Sequence, residues 1–224
     1  MASFETLEPK ALTVHTYVRF APFCHEVEGE IVGTDIELLT RFAESEGLRA
    51  HFEPVEFPGI WTRPGYDQCD IAAAGIAALN VRDPGTGGCW SEAYAVVRRS
   101  LLVRRSDAGS LRGPDDFAGR TIVVTAQSTA DIDARTRYAG VHAEIVPELP
   151  TQGEMVRRLL AGEVDAYAGG ETSNRFVAAS EPRVEVVDVH EMEMPETLHF
   201  VARRADPKLR ESLNAFIHEQ TDRP

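Results

Sequence analysis

Cysteine is scarce in this chain. Three residues in 224, Cys24, Cys69 and Cys89, cannot build a disulfide framework. At most one bridge can form, with Cys69 and Cys89 the pair to test, and three buried free thiols are the plain expectation. Long apolar runs are also missing. None approaches the roughly 20 residues that span a bilayer as a helix, so no membrane insertion is expected. Met1 to Lys10 carry two glutamates and no apolar segment of the signal-peptide kind. That leaves a cytoplasmic protein, or a periplasmic or extracellular one whose export signal has been removed. Positive charge is short as well: 23 Lys and Arg against 36 Asp and Glu leave a net charge of −13. Such a surface repels phosphate backbones and argues against a nucleic-acid partner, although one local arginine still suffices for a small anion. The seven histidines show no metal-ligand spacing. Gly85 to Gly88 lack the Lys-Ser/Thr of a phosphate loop, and no Ser-His-Asp or Cys-His signature stands out. Neither a metal nor a cofactor is expected.

What is present is ordinary globular composition, 43% hydrophobic and 26% charged. At about 150 residues per domain, the length corresponds to roughly 1.5 domains, meaning one large unit or two small ones. Leu12–Tyr17 reads as a strand. Pro22 stops regular structure, and Gly29–Gly33 reads as a turn with a short strand. Ile36, Leu38, Leu39, Phe42 and Ala43 have helical spacing, ended by Gly47. Strands follow at Ala50–Val55 and Asp70–Gly75, the latter apolar on both faces as in a buried parallel sheet. After Ser100–Arg104 and a polar stretch, the order repeats. A strand at Thr121–Val124 precedes a helix from Ser128 to about Tyr138. A strand at Glu144–Val146 leads to a helix at Gln152–Ala161 and a strand at Val164–Ala168. A last helix starts at Pro207. The echo between Cys69-Asp70-Ile71-Ala72 and Val164-Asp165-Ala166-Tyr167 predicts two similar α/β lobes. Ligands of such sheets sit beyond the carboxyl ends of the strands, which predicts a site in a cleft between facing lobes.

The order of these segments carries a resemblance. "RFAPF" at Arg19–Phe23, "GEIVGTDIELL" at Gly29–Leu39, "CDIAAAGIAALNVR" at Cys69–Arg82 and "WSEAY" at Trp90–Tyr94 are followed by "DFAGRTIVV" at Asp116–Val124, "QSTAD" at Gln127–Asp131 and "LLAGEVDAY" at Leu159–Tyr167. In this order they resemble the family 3 solute-binding proteins, the capture subunits of amino-acid ABC importers. The resemblance implies the α/β type II periplasmic-binding-protein fold. Its two lobes would be 1–104 plus 197–224, and 105–196, joined by a two-strand hinge near Arg104-Arg105-Ser106 and Met194-Pro195-Glu196.

The resemblance also implies a ligand set. Arg82 stands where the family's arginine holds a ligand carboxylate, for which a planar guanidinium offers two parallel donors; taken alone it would be a solvated loop arginine. Gly75 and Ala77 would offer backbone amides. Ala77 replaces a common Ser or Thr, and Leu79 a common Thr, leaving a less polar pocket. Phe20, Trp61 and Tyr17 would line the cleft, or else pack in the core. Ser128 and Thr129 open a helix whose amides and dipole suit an anion, and they also suit a plain N-cap. Gln127 replaces a usual Gly. Gly170 stands where amino-acid binders place an Asp for the α-ammonium. Either Glu171 takes over by a one-residue shift, or the ligand lacks that group; the plain alternative for Glu171 is a helix-start carboxylate.

The implied function is a monomeric, non-enzymatic binder of a small carboxylate-bearing solute, amino-acid-like, that closes on its ligand and docks on a membrane permease. The alternative is an enzyme on the same scaffold, a lyase similar to cyclohexadienyl dehydratases. The lack of a visible signal peptide and of the ammonium-binding Asp favour it. A sensor module is a third class.

Overall fold

The structure, a computed structural model, describes residues 3–111, 114–136, 140–187 and 196–221. The first half runs β1 (Ala11–Thr16), β2 (Arg19–Phe20), β3 (Cys24–Val27), β4 (Glu30–Val32), α1 (Thr34–Ser45), β5 (Arg49–Pro54), β6 (Ile71–Ala77) and β7 (Gly88–Val97). Then come β8 (Arg99–Arg104), α2 (Arg105–Ala108), β9 (Thr121–Thr125), α3 (Thr129–Thr136), β10 (His142–Val146), α4 (Gln152–Ala161), β11 (Ala166–Gly170), α5 (Glu171–Ser180) and β12 (Val184–Val187). β13 (Glu196–Arg203) and α6 (Pro207–Thr221) complete the chain. Two units result, Met1–Val96 with Thr197–Pro224, and Val97–Glu196.

In the first unit β1 is buried along its whole length and lies between two parallel neighbours, β5 and β6. The sheet order is β5-β1-β6-β13-β7, with β13 antiparallel to β6. The apolar spacing read in α1 is the face it buries: Ile36, Leu39, Phe42 and Ala43. Leu39, Phe42 and Ala43 meet Leu12, Val14, Phe200, Leu209, Leu213 and Ile217 in one core. Each large side chain removed from water there contributes roughly 1.5–3 kcal/mol. The second unit repeats the plan in the order β10-β9-β11-β8-β12, with β9 parallel to β10 and β11. β8 is antiparallel to β11 and β12. Here α4 has local reasons for its ends. Thr151 accepts the Glu154 N–H at its start, and Gly162 takes the left-handed conformation (φ 72°) at its end.

The lobe boundary expected at Arg104 moves to Val96–Val97, because β8 pairs with β11 and β12 and so belongs to the second unit. Arg105 and Ser106, expected in a hinge strand, open α2 instead. Of the second expected hinge strand, Met194 and Pro195 lie outside the described residues; the division there falls between Glu196 and Thr197. No bridge joins Cys69 to Cys89: all three cysteines are buried free thiols. The helix expected to reach Tyr138 is described to Thr136.

Candidate functional site

In the first unit the candidate residues gather where β1 and β6 end side by side. Arg82 follows β6 through a turn in which its own N–H donates to Leu79 O at 2.8 Å. Arg82 is 4% exposed. Nη1 donates to Ala77 O at 2.9 Å, so the end of β6 and the arginine hold each other. The guanidinium carbon lies 5.0 Å from the Trp61 ring centroid and 5.4 Å from that of Phe57, both within cation–π range. Phe57 meets Trp61 edge-on at 6.1 Å and Tyr17 at 5.8 Å. Trp61 sits in a 3-10 turn, Ile60–Tyr66, entered through Gly59 in the left-handed conformation. The fold thus brings together Arg82, Ala77, Trp61 and Tyr17, and adds Phe57, which the sequence reading missed. The cluster Phe57-Pro58-Gly59-Ile60-Trp61 was the available signal, but nothing local says which ring faces the arginine.

Gly75 breaks the extended run of β6 with φ +55°. A Cβ there would lie 2.5 Å from a Phe20 ring carbon, so the bend seats Phe20, which in turn stacks on Phe23 at 5.3 Å. Beneath the bend, the Gly75 N–H donates to Asp35 Oδ2 at 2.9 Å. Asp35 lies in the first turn of α1 and is wholly buried, and burial pushes its carboxyl up to about 7 against the pull of the Gly75 N–H and Tyr94. The sequence reading did not single out Asp35.

In the second unit α3 follows β9 and α5 follows β11, the parallel neighbour of β9. Ser128 caps α3, its Oγ accepting the Asp131 N–H at 3.2 Å, and Thr129 is the first helical residue. The Asp131 carboxylate takes the Gln127 N–H at 3.0 Å and pairs with Arg135 at 2.6 Å. The residue before the helix thus already holds one carboxylate, that of Asp131. Glu171 opens α5, its N–H donating to Arg98 O, and its carboxylate pairs with Arg175 Nε at 2.6 Å. Gly170 is extended, and a Cβ there would meet only Val97, at 3.9 Å. Arg99 lies buried between Asp133 of α3 and Glu196, at 3.5 and 3.7 Å.

The remaining reactive side chains are quiet. Burial pushes the Cys69 thiol up to about 12, which removes it as a nucleophile at neutral pH. His15, 3.3 Å from Glu53, is lowered by burial and then by Arg63. Among the described residues, no three His, Cys, Asp or Glu side chains converge as metal ligands. No described helix is long and apolar enough to cross a membrane.

Known structures share this fold. The amino-acid ABC transporter substrate-binding protein AbpA of Streptococcus pneumoniae, solved bound to L-arginine, superposes with TM-score 0.84 at 22% identity, covering 95% of this chain and 90% of that one. A truncated arginine-bound ArgBP from T. maritima does so with TM-score 0.81 at 22% identity, covering 94% and 96%. In sequence, the L-cystine-binding protein TcyA of Bacillus subtilis is 21% identical over 94% of this chain and 76% of its own length. The "probable amino-acid ABC transporter-binding protein" of Haemophilus influenzae is 24% identical over 66% of this chain, a match spanning 56% of that protein's length. The family model of the bacterial extracellular solute-binding proteins, family 3, matches residues 12–223, and the chain belongs to that family.

Proposed function

We propose that this chain captures a small carboxylate-bearing, amino-acid-like solute outside the cytoplasm and delivers it to the permease of an ABC importer, acting as a monomer and without turnover. One observation carries the reading. Arg82 is a guanidinium buried against Trp61 and Phe57 and tied to the end of β6 through Ala77 O. Arginine suits this place because its planar fork matches both oxygens of a carboxylate and its faces tolerate aromatic neighbours. The solute class is supported by AbpA and ArgBP, solved with arginine, and by TcyA, named as binding L-cystine. From the second unit the reading takes the Ser128–Thr129 helix start as a source of donors. Glu171 would have to exchange Arg175 for a ligand ammonium. The dehydratase-like alternative gains no support: its carboxylate candidate is that same paired Glu171, and the family is one of binding proteins.

The test is calorimetry on the ligand that co-purifies, identified by native mass spectrometry, with L-arginine as the first probe. A charge-assisted hydrogen bond contributes about 1.5–3 kcal/mol, and about 1.4 kcal/mol is tenfold in affinity. Arg82→Ala is therefore expected to weaken binding at least tenfold. Arg82→Lys, which keeps the charge but not the fork, should fall between. A loss under tenfold with Arg82→Ala counts against the assignment.

A further inference from the structure

Asp35 joins segments that are far apart in the chain. Its carboxylate takes the N–H of Gly75 in β6. Its own N–H donates to Phe23 O, and the preceding N–H of Thr34 donates to Pro22 O, so the start of α1 is fastened to the turn that carries Phe20 and Phe23. Tyr94 of β7 stands beside the carboxylate without closing a short hydrogen bond, and is itself stacked face to face on Phe200 at 4.1 Å. The groups facing the carboxylate are the Cys24 thiol of β3 and the Tyr94 hydroxyl, with the Thr16 hydroxyl of β1 beyond Cys24. Among the described residues, neither arginine nor lysine is one of them, and Asp35 Oδ1 closes no short hydrogen bond. A buried carboxylate is kept in such a place at a cost, so what it holds deserves the explanation.

We propose that Asp35 is the positioning residue of the ligand-binding edge: by accepting the Gly75 N–H it holds β6 in the left-handed bend that seats Phe20 and, through Ala77 O, sets the place of Arg82. The inference rests on the reading of Arg82 as the carboxylate anchor and adds a control beneath it. With Oδ2 engaged by Gly75 and Oδ1 open, one proton on Oδ1 leaves the Gly75 bond in place but turns a charge-assisted bond into a weaker neutral one. Burial places that protonation close to neutral pH. The bend, and the arginine behind it, are thus firmer when Asp35 is ionised than when it is neutral.

The test uses the whole chain without ligand. Proton–nitrogen NMR spectra from pH 5.5 to 8.5 follow the Gly75 amide and the Trp61 indole N–H. Both are expected to shift with a common midpoint near pH 7 in the native chain. Asp35→Asn keeps an acceptor oxygen and removes the titration, so both signals should be flat while Gly75 exchange protection stays within threefold of native. Asp35→Ala should speed Gly75 amide exchange at least tenfold and leave Val123 of the second unit unchanged. Should Asp35→Ala not fold, the pH series and the Asn variant decide alone. A Gly75 signal that is flat in the native chain, or that titrates unchanged in Asp35→Asn, overturns the proposal. None of these signals needs a ligand, so an Arg82→Ala that binds normally sinks the carboxylate reading and leaves the Asp35–Gly75 coupling standing, while a flat Gly75 signal does the reverse.

Discussion

Asp70 and Asp165 stand at corresponding points of the two units, each just before the third strand of its parallel trio. Each donates its backbone N–H to the first strand at 2.9 Å, Asp70 to Thr13 O and Asp165 to Thr121 O, and each carboxylate takes back the N–H of the same residue, at 3.0 and 2.8 Å. The reciprocal pair locks strand register in both units. The surroundings differ. Asp70 is wholly buried, takes a second N–H from Leu7 and has Arg203 only at 3.5 Å; burial raises its pKa against those hydrogen bonds. Asp165 is a quarter exposed and has Arg104 at 2.8 Å and Arg120 at 3.6 Å. Burial pushes it up too, but the Thr121 N–H and Arg104 outweigh that and lower it. Backbone geometry was kept between the halves, and the electrostatics around it were not. A motif that recurs in sequence reports the hydrogen-bond geometry it serves, while its charge partners come from elsewhere in the fold.

The comparison is broken most directly by truncation. Asp70→Ala strands the buried Thr13 N–H and the part-buried Leu7 N–H and is expected to lose roughly 3–5 kcal/mol of unfolding free energy, whereas Asp165→Ala, at a wetter site, loses roughly 1–3 kcal/mol. Denaturant unfolding that gives equal losses would contradict the difference in burial. A pH series sharpens it. Asp35 binds a proton up to about pH 7 in the folded chain and only to about 4 unfolded. Its ionisation therefore costs stability as pH rises from about 4 to about 7, on the order of 4 kcal/mol in full. Asp165, lowered in the fold, acts the other way: its contribution is present above about pH 4 and is lost as pH falls through its folded pKa. Unfolding midpoints between pH 4 and 8 should therefore rise with pH more steeply in Asp35→Asn than in the native chain; parallel curves would be evidence against the buried charge.

The smallest contrast concerns two glycines of corresponding strands, Gly75 within β6 and Gly170 at the end of β11. Gly75→Ala meets a left-handed φ and the Phe20 ring, and should cost roughly 2–3 kcal/mol. Gly170→Ala enters extended backbone with only Val97 in contact, and should stay within about 0.5 kcal/mol. Melting temperatures of the two variants check this, and a Gly75→Ala as mild as Gly170→Ala would mean that the bend in β6 is soft.

Elements with a clear period were legible before the structure. α1, α4 and α6 each present a repeating apolar face, and β1 and β9 are runs of β-formers bounded by breakers. β7, β12 and β13 were not read, nor was the small antiparallel sheet β2-β3-β4 as a sheet. In β7, Gly88-Cys89-Trp90-Ser91-Glu92 mixes small, aromatic and charged residues, and Phe200 and His199, which bond to Ser91, lie more than a hundred residues along the chain. No local signal announces such a partner. At the site, Arg82, Gly75 and Ala77 were legible as candidates through the resemblance that their segment of chain carries. Phe57 and Asp35 were not, because their importance lies in what they touch.

By itself the sequence determined the two-unit α/β plan and the strand ends at which chemistry gathers, since periodicity, glycine stops and the repeated aspartate strand are local properties of the chain. Only tertiary structure decided where the first unit ends, that Glu171 is taken by Arg175, that the cysteines stay apart, and that a buried carboxylate underlies the Gly75 bend. Those facts are set by pairing, burial and desolvation among residues far apart in the chain, and such energies exist only once the segments have met.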